Sequence, residues 1–159
     1  MLYDAPEHLK SIINRFVEKS GVKEPLSVKI QTNLPPSRGL GSSAAVAVAF
    51  VRASYDFMDQ PLDDKTLIKE ANWAEQIAHG KPSGIDTQTI VSNKPVWFKQ
   101  GQAETLKSLK LNGYMVVIDT GVKGSTKQAV EDVHVLCESD EYMKYIEHIG
   151  KIGRASCRE

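Results

Sequence analysis

The chain has 159 residues with 20 basic and 20 acidic side chains, and 41% of its residues are hydrophobic. These values exclude a disordered chain, and the balanced charge argues against a nucleic-acid or membrane-surface binder. Because there is no signal-peptide-like start, no apolar run near the roughly 18 residues of a membrane-spanning helix and no cysteine framework, we expect a soluble, cytoplasmic protein of mixed helices and strands.

Helical periodicity of apolar residues occurs at five places along the chain. It predicts helices over 7–19, 42–58, 64–79, 126–137 and 140–150. Asp63 and Asp64 stand where they can cap the third of these helices. Alternating or short apolar runs predict strands over 26–30, 95–99 and 113–119. A polar stretch at 107–112 predicts a boundary between two parts of the chain.

A glycine-containing loop joins the first predicted strand to the second predicted helix. Gly39 and Gly41 allow backbone angles and close approaches that side chains would block. Ser42 and Ser43 stand at the start of the helix, where free N–H groups and the positive end of the helix dipole can hold an anion. The loop is neither a Walker loop nor a dinucleotide fingerprint. A tight strand-to-helix turn with a serine cap is the structural alternative.

Two carboxylates bracket the loop that follows the third predicted helix. Glu75 lies in an otherwise apolar helical turn, and Asp86 follows a Pro-Ser-Gly-Ile turn. Near a nucleotide, such a pair suggests Mg²⁺ binding and orientation or deprotonation of an acceptor hydroxyl. A helix-face glutamate and a capping aspartate are the alternative.

Several other residues have plainer interpretations. His79 could contact a substrate or cap its helix. Residues 123–126 could hold an anion or form a polar turn. We expect Cys137 to be a small buried residue, and Trp73 and Trp97 to belong to the core.

The last eight residues, 152–159, show no periodicity. They back-translate as ATC-GGA-AGA-GCG-TCG-TGT-AGG-GAA, which resembles a sequencing adapter read as codons. We expect a non-native tail here, with an ordinary frayed terminus as the alternative.

The motifs in their order resemble those of the GHMP kinases (galactose, homoserine, mevalonate and phosphomevalonate kinases). Pro35-Pro-Ser-Arg-Gly-Leu-Gly-Ser-Ser-Ala-Ala45 is similar to the second family motif. His79-Gly-Lys-Pro-Ser-Gly-Ile-Asp86, preceded by Glu75, resembles the next motif in its mevalonate kinase version, as found in Gram-positive cocci. Asp119-Thr-Gly-Val-Lys-Gly-Ser-Thr126 resembles the segment that opens the C-terminal domain.

The resemblance implies an incomplete α+β GHMP kinase fold, with an N-terminal domain similar to a ribosomal protein domain and the start of a ferredoxin-like C-terminal domain. Residues 1–110 would belong to the N-terminal, ATP-binding domain, and residues 111–151 would begin the C-terminal domain. The implied reaction transfers the γ-phosphate of ATP to mevalonate with Mg²⁺ as cofactor. It involves no nucleic acid and no membrane, and a homodimer is one possible assembly.

The resemblance also implies roles for individual residues. Asp86 would orient or deprotonate the acceptor hydroxyl, and Ser43 and Glu75 would bind Mg²⁺. The nucleotide would be bound by the glycine loop and the helix start, namely Pro36, Arg38, Gly39, Leu40, Gly41, Ser42, Ser43 and Ala44. The acceptor would be bound by His79, Ser83, Gly84 and Thr126.

The chain departs from the family pattern at two motifs. The N-terminal strand with a lysine and a Gly-Glu-His-like loop is absent, and so is the glycine-rich third motif. We therefore expect the middle of a kinase that shows no turnover by itself. A sister kinase for phosphomevalonate or homoserine, and a non-catalytic binding module of the same fold, are the alternatives.

Overall fold

The computed structural model describes residues 6–80, 82–99, 101–108, 113–122 and 124–156. These residues form six helices and two strands. In chain order the elements are α1 (Glu7–Ser20), α2 (Ser42–Phe57), α3 (Asp64–His79), α4 (Ile85–Ser92), β1 (Val96–Lys99), β2 (Gln102–Thr105), α5 (Thr126–Leu136) and α6 (Asp140–Ser156). The chain divides into two compact units, residues 1–124 and residues 125–159. Within the described ranges, no helix has both the length and the apolar character needed to cross a bilayer.

The core of the first unit lies between α1, α2, α3 and α4. Ala44 and Ala47 on α2 and Ala71 and Ala74 on α3 are fully buried, and such small side chains let helix backbones approach closely. The α1 helix closes the bundle with a stripe of buried apolar residues that recurs at helical spacing: Leu9, Ile12, Ile13 and Phe16. The alanine-rich helix after the glycine loop is therefore embedded in the core on one face.

Local signals in the sequence account for the helix ends. Asp63 accepts a hydrogen bond from the backbone N–H of Thr66 at 2.6 Å, which confirms the predicted cap of α3. Its pKa is lowered, chiefly by that backbone hydrogen bond. The predicted helices over 7–19, 42–58 and 64–79 are confirmed to within a residue at each end.

The strand predictions succeed only in part. Residues 95–99 contain β1, which pairs antiparallel with β2 through the register Val96 to Thr105. Residues 26–30 and 113–119 lie outside any strand, so those two predictions are wrong for this structure. A strand requires a pairing partner, and among the described residues only β1 and β2 pair with each other. The apolar side chains of both segments are correspondingly exposed.

The second unit consists of α5 and α6. Ser125 caps α5 by accepting from the backbone N–H of Gln128 at 3.3 Å. Both predicted helices form, and α6 continues to Ser156, within the segment expected to be a non-native tail. Cys137, predicted to be buried, is exposed at the end of α5 because no described apolar side chain covers it. Trp97 is likewise 59% exposed and not part of the core, since β1 presents it on the open side of its hairpin.

Candidate active site

The glycine loop reaches α2 through a left-handed residue. Gly41 is the N-cap of α2 with φ 66° and ψ 23°, a conformation that costs an L-residue about 1–2 kcal/mol. Glycine has no side chain to cap the helix, and no acidic residue stands in the first turn of α2. The first backbone N–H groups of Ser42, Ser43 and Ala44 have no acceptor within the helix by geometry. The helix start thus offers donors and positive dipole potential to an anion.

A buried carboxylate faces this helix start from α3. Glu75 is 4% exposed, and its Oε1 accepts a hydrogen bond from Ser43 Oγ at 2.6 Å. Burying a carboxylate is costly unless it is paired or ligates a metal. The packing of α2 on α3 brings together Ser43 and Glu75, the two residues predicted to bind a metal.

One histidine lies beside the same carboxylate, and a second is influenced by its charge. The Nε2 atom of His79 lies 3.6 Å from Glu75 Oε2 across one helical turn. His8 on α1 is close enough that Glu75 and His79 both act on it. Burial lowers the pKa of His8 most, Glu75 opposes that effect, and His79 adds to it, so the pKa lies below its ordinary value. No local pattern in α1 points to His8, because the carboxylate that acts on it is 67 positions away.

Asp86 approaches the glycine loop from the first turn of α4. A Cβ built on Gly41 would lie 3.8 Å from Asp86 Cγ and Oδ1, so the carboxylate borders the loop backbone. The side chain is exposed, in contrast to that of Glu75. The structure thus brings one buried and one accessible carboxylate to the same helix start.

The turn before α4 orients Asp86. Ser83 Oγ accepts from the backbone N–H of Ile85 at 3.3 Å, which gives this predicted substrate residue a local role in the turn. Asn72 of α3 packs against Gly84, where a Cβ would come within 3.4 Å of its amide nitrogen. Asn72 Oδ1 and Thr87 Oγ1 are buried without a hydrogen-bond partner within the described part of the chain. Neither residue was singled out from the sequence, since polar residues on amphipathic helices are common.

The remaining predicted residues have diverse surroundings. Pro36, Gly39 and Leu40 are exposed in the loop, and the guanidinium of Arg38 binds Asp119 and Gly121. Ala44 is fully buried. Thr126 is the first residue of α5 and belongs to the second unit.

The donor set at Ser43 and Glu75 fits a hard divalent cation. Hydroxyl and carboxylate oxygens are the ligands that Mg²⁺ prefers, and protein sites often supply only one or two of them, with phosphates and water completing the shell. Among the described residues there is no cluster of three or more His, Cys, Asp or Glu side chains arranged as a metal cage.

One cavity of the bundle lies away from the start of α2. It measures about 30 Å³ and is bordered by Ile12, Phe16 and Phe50, with Arg15 and Glu70 at its rim. Small-molecule sites usually enclose about 300 Å³ or more, so this cavity is too small for a nucleotide.

The GHMP kinases N terminal domain model matches residues 7–93, which include α1 to α4, the glycine loop and both carboxylates. The chain belongs to the GHMP kinase family. This confirms the expected α+β GHMP kinase fold, of which the described residues form the helical bundle and a small sheet.

The chain is similar to several mevalonate kinases. A mevalonate kinase from Aeropyrum pernix is 36% identical over 117 residues, covering 73% of this chain and 36% of that protein. One from Pyrococcus abyssi is 34% identical over 123 residues, covering 77% of this chain and 36% of that protein. The crystal structure of mevalonate kinase from methicillin-resistant Staphylococcus aureus MRSA252 is 65% identical with a TM-score of 0.71, covering 98% of this chain and 50% of that one. The chain therefore spans about half or less of each of these relatives.

Proposed function

We propose that this GHMP kinase chain carries the phosphate loop, a metal-binding pair and the acceptor carboxylate of an ATP-dependent mevalonate kinase. The observation that carries the proposal is the meeting of Asp86, Gly41 and the Ser43–Glu75 pair at one helix start. Similarity to mevalonate kinases, at 65% identity in one solved structure, supports mevalonate as the acceptor.

The helix start would bind the phosphates of ATP. The unpaired N–H groups of the first turn of α2 would donate to phosphate oxygens, and Gly39 and Gly41 would let the phosphates approach the backbone. Ser43 Oγ and a carboxylate oxygen of Glu75 would hold Mg²⁺. When bound, Mg²⁺ supplies positive charge that offsets the charge of the phosphates. The burial of Glu75 keeps water from competing for that carboxylate.

Asp86 would act on the acceptor. Its carboxylate accepts a hydrogen bond from the primary hydroxyl of mevalonate and takes the hydroxyl proton as the oxygen attacks the γ-phosphorus. The new bond joins that oxygen to the γ-phosphorus, and the bond from the γ-phosphorus to the β–γ bridging oxygen breaks. ADP and 5-phosphomevalonate are the products. The exposure of Asp86 suits a group that must meet a diffusing substrate.

The first test is nucleotide binding by the 159-residue chain. Titration calorimetry with ATP and Mg²⁺ should give saturable binding that Ser43→Ala weakens, because this variant loses the hydroxyl shared by the helix start and Glu75. Arg52→Ala, on an exposed part of α2, is the matched control. Equal affinities in the unaltered chain and Ser43→Ala would contradict the assigned site.

The second test is turnover. A chimera in which residues 6–151 replace the corresponding segment of the S. aureus enzyme should phosphorylate mevalonate in a coupled assay. Asp86→Asn should lower kcat by about 100-fold or more, the usual contribution of a positioned acid–base group, with the KM for ATP little changed. Asp56→Asn, an exposed change on α2, should leave both values unaltered.

The same assay separates the alternative acceptors. Phosphomevalonate and homoserine, offered in place of mevalonate, should give little turnover. Preference for either of them would contradict the proposed acceptor, whereas an unchanged kcat in Asp86→Asn would contradict the proposed role of that residue. Cytoplasmic localisation and a homodimer stay predictions, which cell fractionation and analytical ultracentrifugation would check.

A further inference from the structure

Arg38, in the middle of the glycine loop, contacts a segment far along the chain. Its Nε atom lies 3.1 Å from Asp119 Oδ1 and 3.2 Å from Oδ2, and its Nη2 atom donates to the carbonyl of Gly121 at 3.0 Å. The guanidinium therefore binds a side chain and a backbone carbonyl of one turn, residues 119–122, which we call the Asp119 turn.

The Asp119 turn is itself shaped to receive Arg38. Asp119 Oδ1 also accepts the backbone N–H of Gly121 at 2.8 Å, so the carboxylate fixes its own turn while it pairs with the arginine. A backbone hydrogen bond from Gly124 N–H to Ser37 carbonyl, at 3.3 Å, forms a second link beside the first. Both links act on Ser37 and Arg38, which directly precede Gly39.

The contact requires an arginine. A guanidinium presents donors in a rigid planar fork, which can satisfy a carboxylate and a carbonyl at once, whereas a lysine ammonium is a single point charge. The Arg38 side chain is 19% exposed, so the pair is partly shielded from water, although Asp119 is 50% exposed. The Nη1 atom of Arg38 is buried without a hydrogen-bond partner among the described residues.

We propose that Arg38 is a positioning residue, which holds the glycine loop in its phosphate-binding shape by clasping the Asp119 turn. The link to phosphate binding rests on the proposed function, whereas the clasp itself does not. Loop residues that are not tied down sample many conformations, and ordering them on binding costs affinity. The clasp lowers that cost before the nucleotide arrives.

Hydrogen exchange of the full chain tests the clasp without any ligand. In Arg38→Ala, the amide of Gly124, which bonds to Ser37, should exchange about two- to fivefold faster, the range expected for a partly exposed ion pair. Arg38→Lys should show most of the same increase, because it keeps the charge but not the fork. Arg52→Ala should leave this amide unchanged. An unchanged rate in Arg38→Ala would overturn the clasp.

ATP affinity of the same variants separates positioning from direct contact. Asp119→Ala leaves Arg38 in place. If Arg38 contacts a phosphate of ATP directly, this variant should therefore bind ATP with unchanged or higher affinity. Positioning predicts a loss of about three- to tenfold in Asp119→Ala, a similar loss in Arg38→Ala, and no further loss in the double variant. Additive losses of ATP affinity in the double variant, or an unchanged ATP affinity in Asp119→Ala, would overturn the proposal. Failure of the unaltered chain to bind ATP would contradict the proposed function, and the exchange rates would then decide the clasp by themselves.

Discussion

At the scale of one residue, Glu75 is a carboxylate buried beside the start of α2. Its described partners are one hydroxyl donor, Ser43 Oγ, and the His79 ring at 3.6 Å. Buried carboxylates are costly unless they are paired or ligate a metal. The charge is consistent with a site that gains its full set of partners when a cation and a phosphate bind.

Gly41 supports a prediction at the same scale. Gly41→Ala should lower the free energy of unfolding by about 1–2 kcal/mol, because φ is 66°. The new methyl would also lie 3.8 Å from the Asp86 carboxylate, in the space between the loop and α4. Urea unfolding measures the loss of stability, and ATP calorimetry measures the loss of ATP affinity that we expect from the methyl group.

Gly21 provides the matched control for that prediction. It has nearly the same φ, 65°, and nothing lies within 4 Å of a Cβ built there. Gly21→Ala should therefore lose similar stability and keep its ATP affinity. Equal ATP affinities for the two variants would show that Gly41 is only a structural turn.

At the scale of secondary structure, α1 and α3 are joined by polar contacts as well as by the core. Glu70 accepts from Lys19 Nζ at 2.6 Å and from Arg15 Nε at 3.1 Å. The Arg15 guanidinium also lies over the ring of Trp73, 4.7 Å from its centroid. These contacts bracket the small cavity between the helices and cover part of the core.

The Glu70 contacts make part of the stability depend on pH. Burial raises the pKa of Glu70, but the hydrogen bonds and charges of Lys19 and Arg15 outweigh it, so the pKa lies below its usual value. The unfolded chain therefore binds this proton first as the pH falls. The stabilisation is complete above the usual glutamate pKa of about 4.3 and is lost as the pH falls through the folded-state pKa.

Glu70→Gln tests this dependence. At pH 7 the variant should be less stable by about 0.5–1 kcal/mol, since the partners are partly exposed. The difference should shrink as the pH falls below about 4.3. Urea unfolding at a series of pH values measures it. Glu18→Gln, an exposed change on α1, is the control. A difference that stays constant down to the acid range would contradict the assignment.

At the scale of the whole molecule, the two units differ in how much apolar surface they bury. The buried hydrophobic residues that the structure describes all belong to α1, α2, α3 and α4. In the second unit, large apolar side chains such as Val130 and Ile149 are each 63% exposed. Stability is therefore concentrated in the part of the chain that also matches the family model.

Hydrogen exchange along the full chain should reveal this difference. Amides in the middle of α2 and α3, such as those of Val48 and Ala71, should exchange at least about tenfold more slowly than that of Val133 in α5. The reason is that opening the first unit exposes a core, whereas opening α5 exposes little that is not already in water. Equal protection of the two units would contradict the prediction.

The sequence by itself determined five of the six described helices, the glycine loop and the family, but it did not predict α4. Apolar periodicity, the Asp63 cap and the order of the motifs are local properties, so they could be recognised without coordinates. The segments 26–30 and 113–119 carry a strand pattern, yet pattern alone does not provide the pairing partner that a strand requires.

Only the tertiary structure decided which polar residues meet. Ser43 and Glu75 are 32 positions apart, and Arg38 and Asp119 are 81 apart. The charge of Glu75 also acts on His8 of a third helix. Such contacts follow from how α1, α2 and α3 pack and where the loops cross, and no local pattern encodes them. The sequence could therefore name the likeness to a kinase, while packing assigned Arg38 its clasp and Glu75 its buried position beside the helix start.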